Sequence, residues 1–422
     1  MSIGYACLTV GVKNTEMKSC MQKNASDEKL LELIEYNLNS LENIINYNIK
    51  NNIKLFRISS DLIPFGSSPV NKLLWEKIFQ DKFTKIGKEI RGNGIRVSMH
   101  PGQYTVLNSP NNDVVFRAVE DLNYHYRVLE ALGVNNENKI VLHIGGIYGD
   151  KQSGIKRFIE NFNKLDSKIK GRIVIENDHK SYNINDVLEI GNGLKIPVIF
   201  DNLHHKLNPH LSINKDDLFW IKECGKTWTK EDGNQKIHYS EQHKLKGMGS
   251  HSDSISINEF IDFWKLLKGE IDIMLEVKDK NLSAVKCINC TRNDGHIVFL
   301  ENEWSKYKYN VLECSPIDYL NIRKLLKEKK EYPAVEFYNL LEHAFLQKIT
   351  TQNSINAAQH VWGYFKDVST TMEKQSFLQL LDKYKSGLIS LNKIKANLER
   401  LAVKYNRRYL MDSYYFLLNK IK

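Results

Sequence analysis

Along the first 276 residues, short and nearly continuous apolar runs alternate with longer stretches whose apolar positions recur every three or four residues. The short runs are IGYA (3–6), KLFRIS (54–59), RVSMH (96–100), KIVLH (139–143), RIVIE (172–176), PVIFD (197–201), KIHY (236–239) and DIMLE (272–276). Runs rich in Val and Ile with no polar alternation are the pattern of parallel strands buried on both faces. The stretches between them, such as 27–52, 71–94 and 114–133, have the spacing of amphipathic helices, often with Gly just past the end. Eight such alternations predict a closed (β/α)8 barrel of the TIM type. An open doubly wound sheet is the alternative, and it would place its ligand at one switch point.

After Glu276 the pattern changes. Residues 278–300 read as a connector, and from Trp304 onward only helical periodicity remains, over 316–330, 333–349, 353–367, 371–387 and 390–405. The expected organisation is a barrel over 1–285, a linker over 286–300 and a separate all-α domain over 301–422. A content of 42% hydrophobic and 26% charged residues excludes wholesale disorder and a collagen-like chain. No apolar run is long enough for a membrane helix, and no basic n-region precedes an apolar stretch at the N-terminus, so a cytoplasmic protein with no membrane association is expected. The six cysteines then read as reduced thiols. Cys287 and Cys290 form a C-x2-C; only with further ligands such as Cys314 and His296 would they make a zinc site, and ordinary thiols are the simpler reading. The net charge is +10, and residues from 295 on carry 20 Lys/Arg against 13 Asp/Glu. Such an excess suits a polyanionic partner, although the chain is rich in Lys throughout.

The candidate chemistry lies where the strands end. His100, His143, Glu176 and Asp201 close the third to sixth runs, His238 lies in the seventh and Glu276 closes the eighth. In a closed α/β barrel these ends share one mouth. His204, three residues after Asp201, and His251, in GSHSD, can reach the same rim. Imidazoles and carboxylates bind hydrolytic metals, and eight candidate ligands suit more than one ion bridged by a carboxylate. A lone His at a strand end is ordinarily a hydrogen-bonded rim residue; six consecutive endings of this kind are a different case. Metal-assisted phosphodiester hydrolysis and metal-dependent sugar isomerisation or epimerisation both remain open on these residues alone.

The stretches GYACLT, LFRISSDLIPFGS, SMHPGQYTVLNSP, VLHIGGIYGDK, IENDHKSYN, FDNLHHKLNP, KIHYS, SHSD and MLEVKDK run in order through the first two-thirds of the chain. Together they resemble the UV damage endonucleases of the UvsE/UvdE family. The resemblance implies a DNA repair enzyme that nicks damaged double-stranded DNA 5′ to pyrimidine dimers, (6-4) photoproducts and, in some members, abasic sites. It implies hydrolysis that leaves a 3′-hydroxyl and a 5′-phosphate; no obligate protein partner is evident in the sequence. It also implies two or three divalent ions, Mn²⁺ first and Zn²⁺ or Mg²⁺ as alternatives, held by His100, His143, Glu176, Asp201, His204, His238, His251 and Glu276. Lys236 matches a lysine carboxylated in the family and, with Glu176 and Glu276, is assigned to catalysis. Gln103 and Tyr104 match the wedge that probes the lesion, and Tyr5 matches a tyrosine lining the damage pocket. Lys206 and Lys278 are candidate phosphate contacts, each alone more readily an ordinary surface charge.

One departure stands out: PFGSSP places Ser68 where many relatives carry a catalytic histidine. His205 or His243 could compensate; otherwise a lesion-binding protein with weakened catalysis is the further alternative. Residues 301–418 resemble a second family, the helical YbgA-like domain of unknown function, through WSKYKYNVLECSP, NAAQHVWGYFKDVST, YKSGLISL and YNRRYL. That resemblance implies no established chemistry, and His360 on one of its helices is as readily a packing residue as a functional one.

Overall fold

The computed structural model describes residues 1–210, 215–267, 271–329 and 331–417. It divides into two compact units, one of Met1–Ile255 with Asp262–Val285 and one of Ser256–Ile261 with Lys286–Lys422.

The first unit is a parallel eight-stranded α/β barrel. Its strands are β1 (Ile3–Ala6), β2 (Leu55–Ile58), β3 (Arg96–Met99), β4 (Ile140–His143), β5 (Ile173–Glu176), β6 (Val198–Ile199), β7 (Lys236–Tyr239) and β8 (Asp272–Leu275). Their order is β6-β5-β4-β3-β2-β1-β8-β7, with every pairing parallel. The remaining gap between β6 and β7 is bridged where Asp201 meets His238, whose N–H donates to the Phe200 carbonyl at 2.9 Å. The predicted run PVIFD therefore contributes only two residues of regular strand, and its Asp201 serves as the seam.

Local chemistry fixes the helical crossovers. Ser26 caps the helix Asp27–Lys50 by accepting from the Lys29 N–H, and Asp27 and Glu28 complement the positive end of its dipole. The helix Ile184–Leu194 opens on a capping box between Asn183 and Asp186. Alternation along the strands sends every second side chain inward. On β8 and its end these are Asp272, Met274 and Glu276; on β7 they are Lys236 and His238. Leu55, Ala6 and Met274 form one apolar layer of the interior, and Val141, Val174 and Ile199 another.

The second unit is all-α, as expected. Its longer helices are Ile297–Cys314, Pro316–Leu325, Ala334–Leu346, Thr351–Trp362, Thr371–Lys385 and Leu391–Lys404, around a core that includes Leu312, Val361, Phe377 and Leu398. The stretch 286–300, expected as a linker, instead holds the end of the helix Asn281–Thr291 and the start of Ile297–Cys314. Residue 330, at the end of one expected helix, and residues 418–422 lie outside the described residues. A buried ion pair, Lys395 to Glu313 at 2.7 Å, sits beneath the Tyr415 ring. No cysteine pairs with another among the described residues, and burial pushes the Cys290 thiol up to about 12, so it is protonated at neutral pH. His360 is exposed. No helix among the described residues is long and apolar enough to cross a membrane.

Candidate metal centre

Glu176, the last residue of β5, sits at the centre of the barrel mouth and is 1% exposed. Three groups of side chains could each hold an ion, and Glu176 belongs to all of them: with His100 and His143, with His238 and Glu276, and with Asp201 and His204. Within each group the ligand atoms lie within 4.8 Å of one another. His238 Nδ1 donates to Glu176 Oε1 at 2.8 Å, and His100 Nε2 lies 3.3 Å from Oε2. His251, beyond β7, places Nε2 3.6 Å from Glu276 Oε2. All eight residues assigned to metal therefore converge on one rim.

Second partners orient the ring nitrogens. His100 Nδ1 donates to the Pro101 carbonyl at 3.0 Å, which leaves the lone pair of that neutral ring on Nε2, and His204 Nδ1 donates to the Asn177 carbonyl at 2.9 Å, which fixes the orientation of its ring. Asn177 also ties the ends of β5 and β6 together, accepting from the Asp201 N–H and donating to the Asp201 carbonyl. Asp201 Oδ1 caps the short helix Asn202–Leu207 by accepting from the His204 N–H at 2.7 Å. Its other oxygen, Oδ2, is buried with no hydrogen-bond partner, as is His238 Nε2. Buried polar atoms without partners are costly. A carboxylate oxygen and an imidazole lone pair left that way, beside further carboxylates and imidazoles, fit a divalent cation.

The electrostatics agree. Burial alone would raise the Glu176 carboxyl, but His238 and His143 beside it hold it well below the usual carboxylate range. Burial pushes Asp201 up, and it pushes His100 down to about 4, so that imidazole is neutral. Burial acts in the same direction on His204, yet Asp201 and Glu176 overcome it and raise the ring to about 9. These opposed shifts follow from carboxylates and imidazoles buried side by side.

Arg57, on β2, was not singled out from the sequence. Its guanidinium reaches Glu276 Oε1 at 2.5 Å and fixes that carboxylate. A single Arg within a strand carries no sequence signal; only inward alternation on β2 could have marked it. His179 was also missed; its ring lies 5.6 Å from that of His204. Lys236 is 1% exposed, and burial together with Arg96 and Arg57 drives its amine well below the usual lysine range.

A cavity of about 1150 Å³ opens beside the cluster, lined by His143, His204, Ser68, Tyr104, Phe116 and Lys180 among others. Gln103 is exposed there, and Tyr104 is 71% exposed. Tyr5 departs from expectation. It is fully buried on the outer side of β1, where its hydroxyl bonds to Asn48 of the helix Asp27–Lys50 and to Thr9, and its ring lies 5.2 Å from Phe56. Strand alternation gives the inward positions to Gly4 and Ala6, so Tyr5 packs against a helix rather than lining the cavity. His205 and His243 are not among the residues that line the cavity with Ser68. His205 is buried against Phe200 and Trp220, and His243 meets Asp253 at 3.2 Å. Lys278 is paired with Asp253 as well, at 3.1 Å, whereas Lys206 is exposed.

An eight-stranded barrel with a buried carboxylate–histidine cluster at the C-terminal ends of its strands, one that could hold metal ions, has the architecture of the α/β-barrel enzymes. Comparison with known proteins narrows that class. Residues 1–294 match the family model UV-endonuclease UvdE, and residues 308–418 match that of a protein of unknown function, DUF1722. The chain is 40% identical over 406 residues to the UV DNA damage endonuclease of Clostridium perfringens (strain 13 / Type A), covering 94% of this chain and 97% of that one. It is 34% identical over 271 residues to the UV DNA damage endonuclease of Bacillus mycoides (strain KBAB4), covering 64% of this chain and 84% of that one. Among solved structures it resembles SacUVDE, with a TM-score of 0.65 and 38% identity over 69% of this chain and 97% of that one. The chain belongs to the UV-endonuclease UvdE family and is a DNA repair endonuclease.

Proposed function

We propose that the protein nicks the backbone of damaged duplex DNA immediately 5′ to UV photoproducts, pyrimidine dimers and (6-4) products, with abasic sites as further substrates. The reaction is hydrolysis, leaving a 3′-hydroxyl and a 5′-phosphate. The observation that carries this reading is the position of Glu176, one buried carboxylate common to three ligand groups. His100, His143, Asp201, His204, His238, His251 and Glu276 would hold two or three divalent ions with it, Mn²⁺ first. When bound, such ions lower the pKa of water and neutralise charge on a phosphoryl group.

The chain's own residues supply the rest. Arg57 holds Glu276 in place through a charge-assisted bond. The Nδ1–H bonds of His100 and His204 to backbone carbonyls fix the orientation of both rings. Lys236 is held where its neutral amine is favoured, the form that takes up CO₂ as a carbamate; we assign it that modification on the strength of the family resemblance. Gln103 and Tyr104 project into the cavity and would fill the space that a damaged, weakly stacked step opens at low energetic cost.

The test is to incubate purified protein and Mn²⁺ with a duplex carrying one defined photodimer and to map the cut. A single Mn²⁺-dependent nick on the 5′ side, abolished by EDTA, is expected. No nick, or a cut elsewhere, overturns the reading. Ser68 motivates a second reading, since a serine lines the cavity at that position: tight lesion binding with slow nicking, which the same duplex separates by comparing affinity with rate.

A further inference from the structure

We propose that Tyr148 is a second aromatic probe, contacting the distorted nucleotides next to Tyr104; this rests on the endonuclease reading above. Two adjacent loops of the mouth share one construction. After His100 the chain runs Pro-Gly102-Gln-Tyr104, and after His143 it runs Ile-Gly-Gly146-Ile-Tyr148. Each loop leaves a strand through a histidine of the cluster, and those two rings lie 5.1 Å apart. Each ends in a tyrosine whose ring lies over a glycine. A Cβ on Gly102 would collide with the Tyr104 ring, and one on Gly146 would come within 3.2 Å of the Tyr148 ring. Both rings line the same cavity and both stand out from the protein, Tyr104 71% and Tyr148 48% exposed.

Neither core packing nor turn chemistry accounts for Tyr148. Its φ is 53°, the left-handed region that suits Gly or Asn, and it lies between Gly145 at φ 115° and Gly149 at φ 87°. The loop beneath is nevertheless held firmly. The Gly146 carbonyl accepts from Asn108 Nδ2 at 2.7 Å and from the Tyr182 hydroxyl at 3.2 Å, and both of those residues are fully buried. A bulky ring kept in a strained backbone state, on an anchored loop, and left facing solvent beside the cluster, is the signature of a contact residue. The Arg157 guanidinium, 5.9 Å from the ring, adds positive charge on the same side. The ligand such a ring takes is a base or deoxyribose face of an unstacked step, with sequence-tolerant stacking.

The test compares Y148A, Y148G, Y148F and Y148W in the full-length protein on a duplex with one photodimer. Y148A and Y148G should lose at least about tenfold in kcat/KM, the scale of one lost stacking contact. Y148F and Y148W should stay within about threefold, since a ring remains for stacking. All four should bind Mn²⁺ like the wild type. Y148G should melt at the same or a higher temperature, because glycine relieves the strain while it removes the contact; a purely structural tyrosine would show the reverse. Wild-type rates in Y148A and Y148G, or a loss that merely follows a lower melting temperature, overturn the inference and leave the endonuclease reading intact. If the wild type binds the lesion duplex without nicking it, the same variants are compared by anisotropy; about tenfold weaker binding supports the inference and equal binding overturns it. If the wild type neither binds nor nicks, both readings fall together.

Discussion

At the N-terminal end of the barrel, Arg96 meets Asp272 at 3.0 Å and Lys139 meets Asp232 at 2.5 Å. Arg96 also donates to the backbone carbonyls of Asp232, Asn234 and Glu137, and Lys139 to that of Gly171. Each of these two cations has an anion, and their further donors bond to backbone carbonyls. At the C-terminal end, about one strand length away, Glu176, Asp201 and Glu276 face five imidazoles and the Arg57 guanidinium, and Asp201 Oδ2 and His238 Nε2 have no hydrogen-bond partner. One end pairs these charges within the chain; the other leaves buried carboxylate and imidazole atoms without hydrogen-bond partners, which fits a bound cation. Buried charge alone does not mark a site. Buried charge left unsatisfied does.

That contrast can be broken in order of expected effect. Glu176→Gln removes the carboxylate common to all three ligand groups and should lower lesion nicking by roughly a thousandfold, about 4 kcal/mol of barrier, measured by single-turnover cleavage. Asp232→Ala strands Lys139 in the closed end and should cost about 3 kcal/mol of stability in denaturant unfolding, while Mn²⁺ binding by calorimetry is unchanged. Its counterpart, Asp201→Asn, keeps an oxygen to cap the short helix. Without metal it should unfold at the wild-type midpoint or above, yet lose most of the stabilisation that saturating Mn²⁺ confers, about 2.7 kcal/mol at a hundredfold excess over Kd. The neighbouring histidines sharpen the point. His204→Ala should impair Mn²⁺ binding, whereas His205→Ala should leave it intact and cost about 1–2 kcal/mol of packing against Phe200 and Trp220. Smallest of all, serine at both Cys287 and Cys290 should leave Mn²⁺ stoichiometry unaltered by elemental analysis, because neither thiol lies in a ligand group.

Much of this was legible in the sequence, and the reason is geometric. A parallel strand buried on both faces announces itself by composition, and its last inward position is a fixed place in a closed barrel. His100, His143, Glu176 and Glu276 could therefore be placed at one mouth from their positions alone. What the pattern could not show was which way a residue one step along would face. Tyr5 lies next to inward-facing Gly4 and Ala6 and so turns outward, and His205 turns from the cluster that its neighbour His204 joins. Arg57 was invisible for the opposite reason: its meaning depends on Glu276, 219 residues away. The stretch 286–300 has Asn, Asp and Gly between its helical ends, and they read as a connector although the turn they make is short.

The carboxylate of Asp201 has two employments, one oxygen starting the turn that carries His204 and the other turned toward the cluster. Whatever occupies the mouth is thereby tied to one turn of backbone at 202–207. The amide protons of that turn would report occupancy by slowed exchange, and drift at position 201 is restrained twice over, once by chemistry and once by folding.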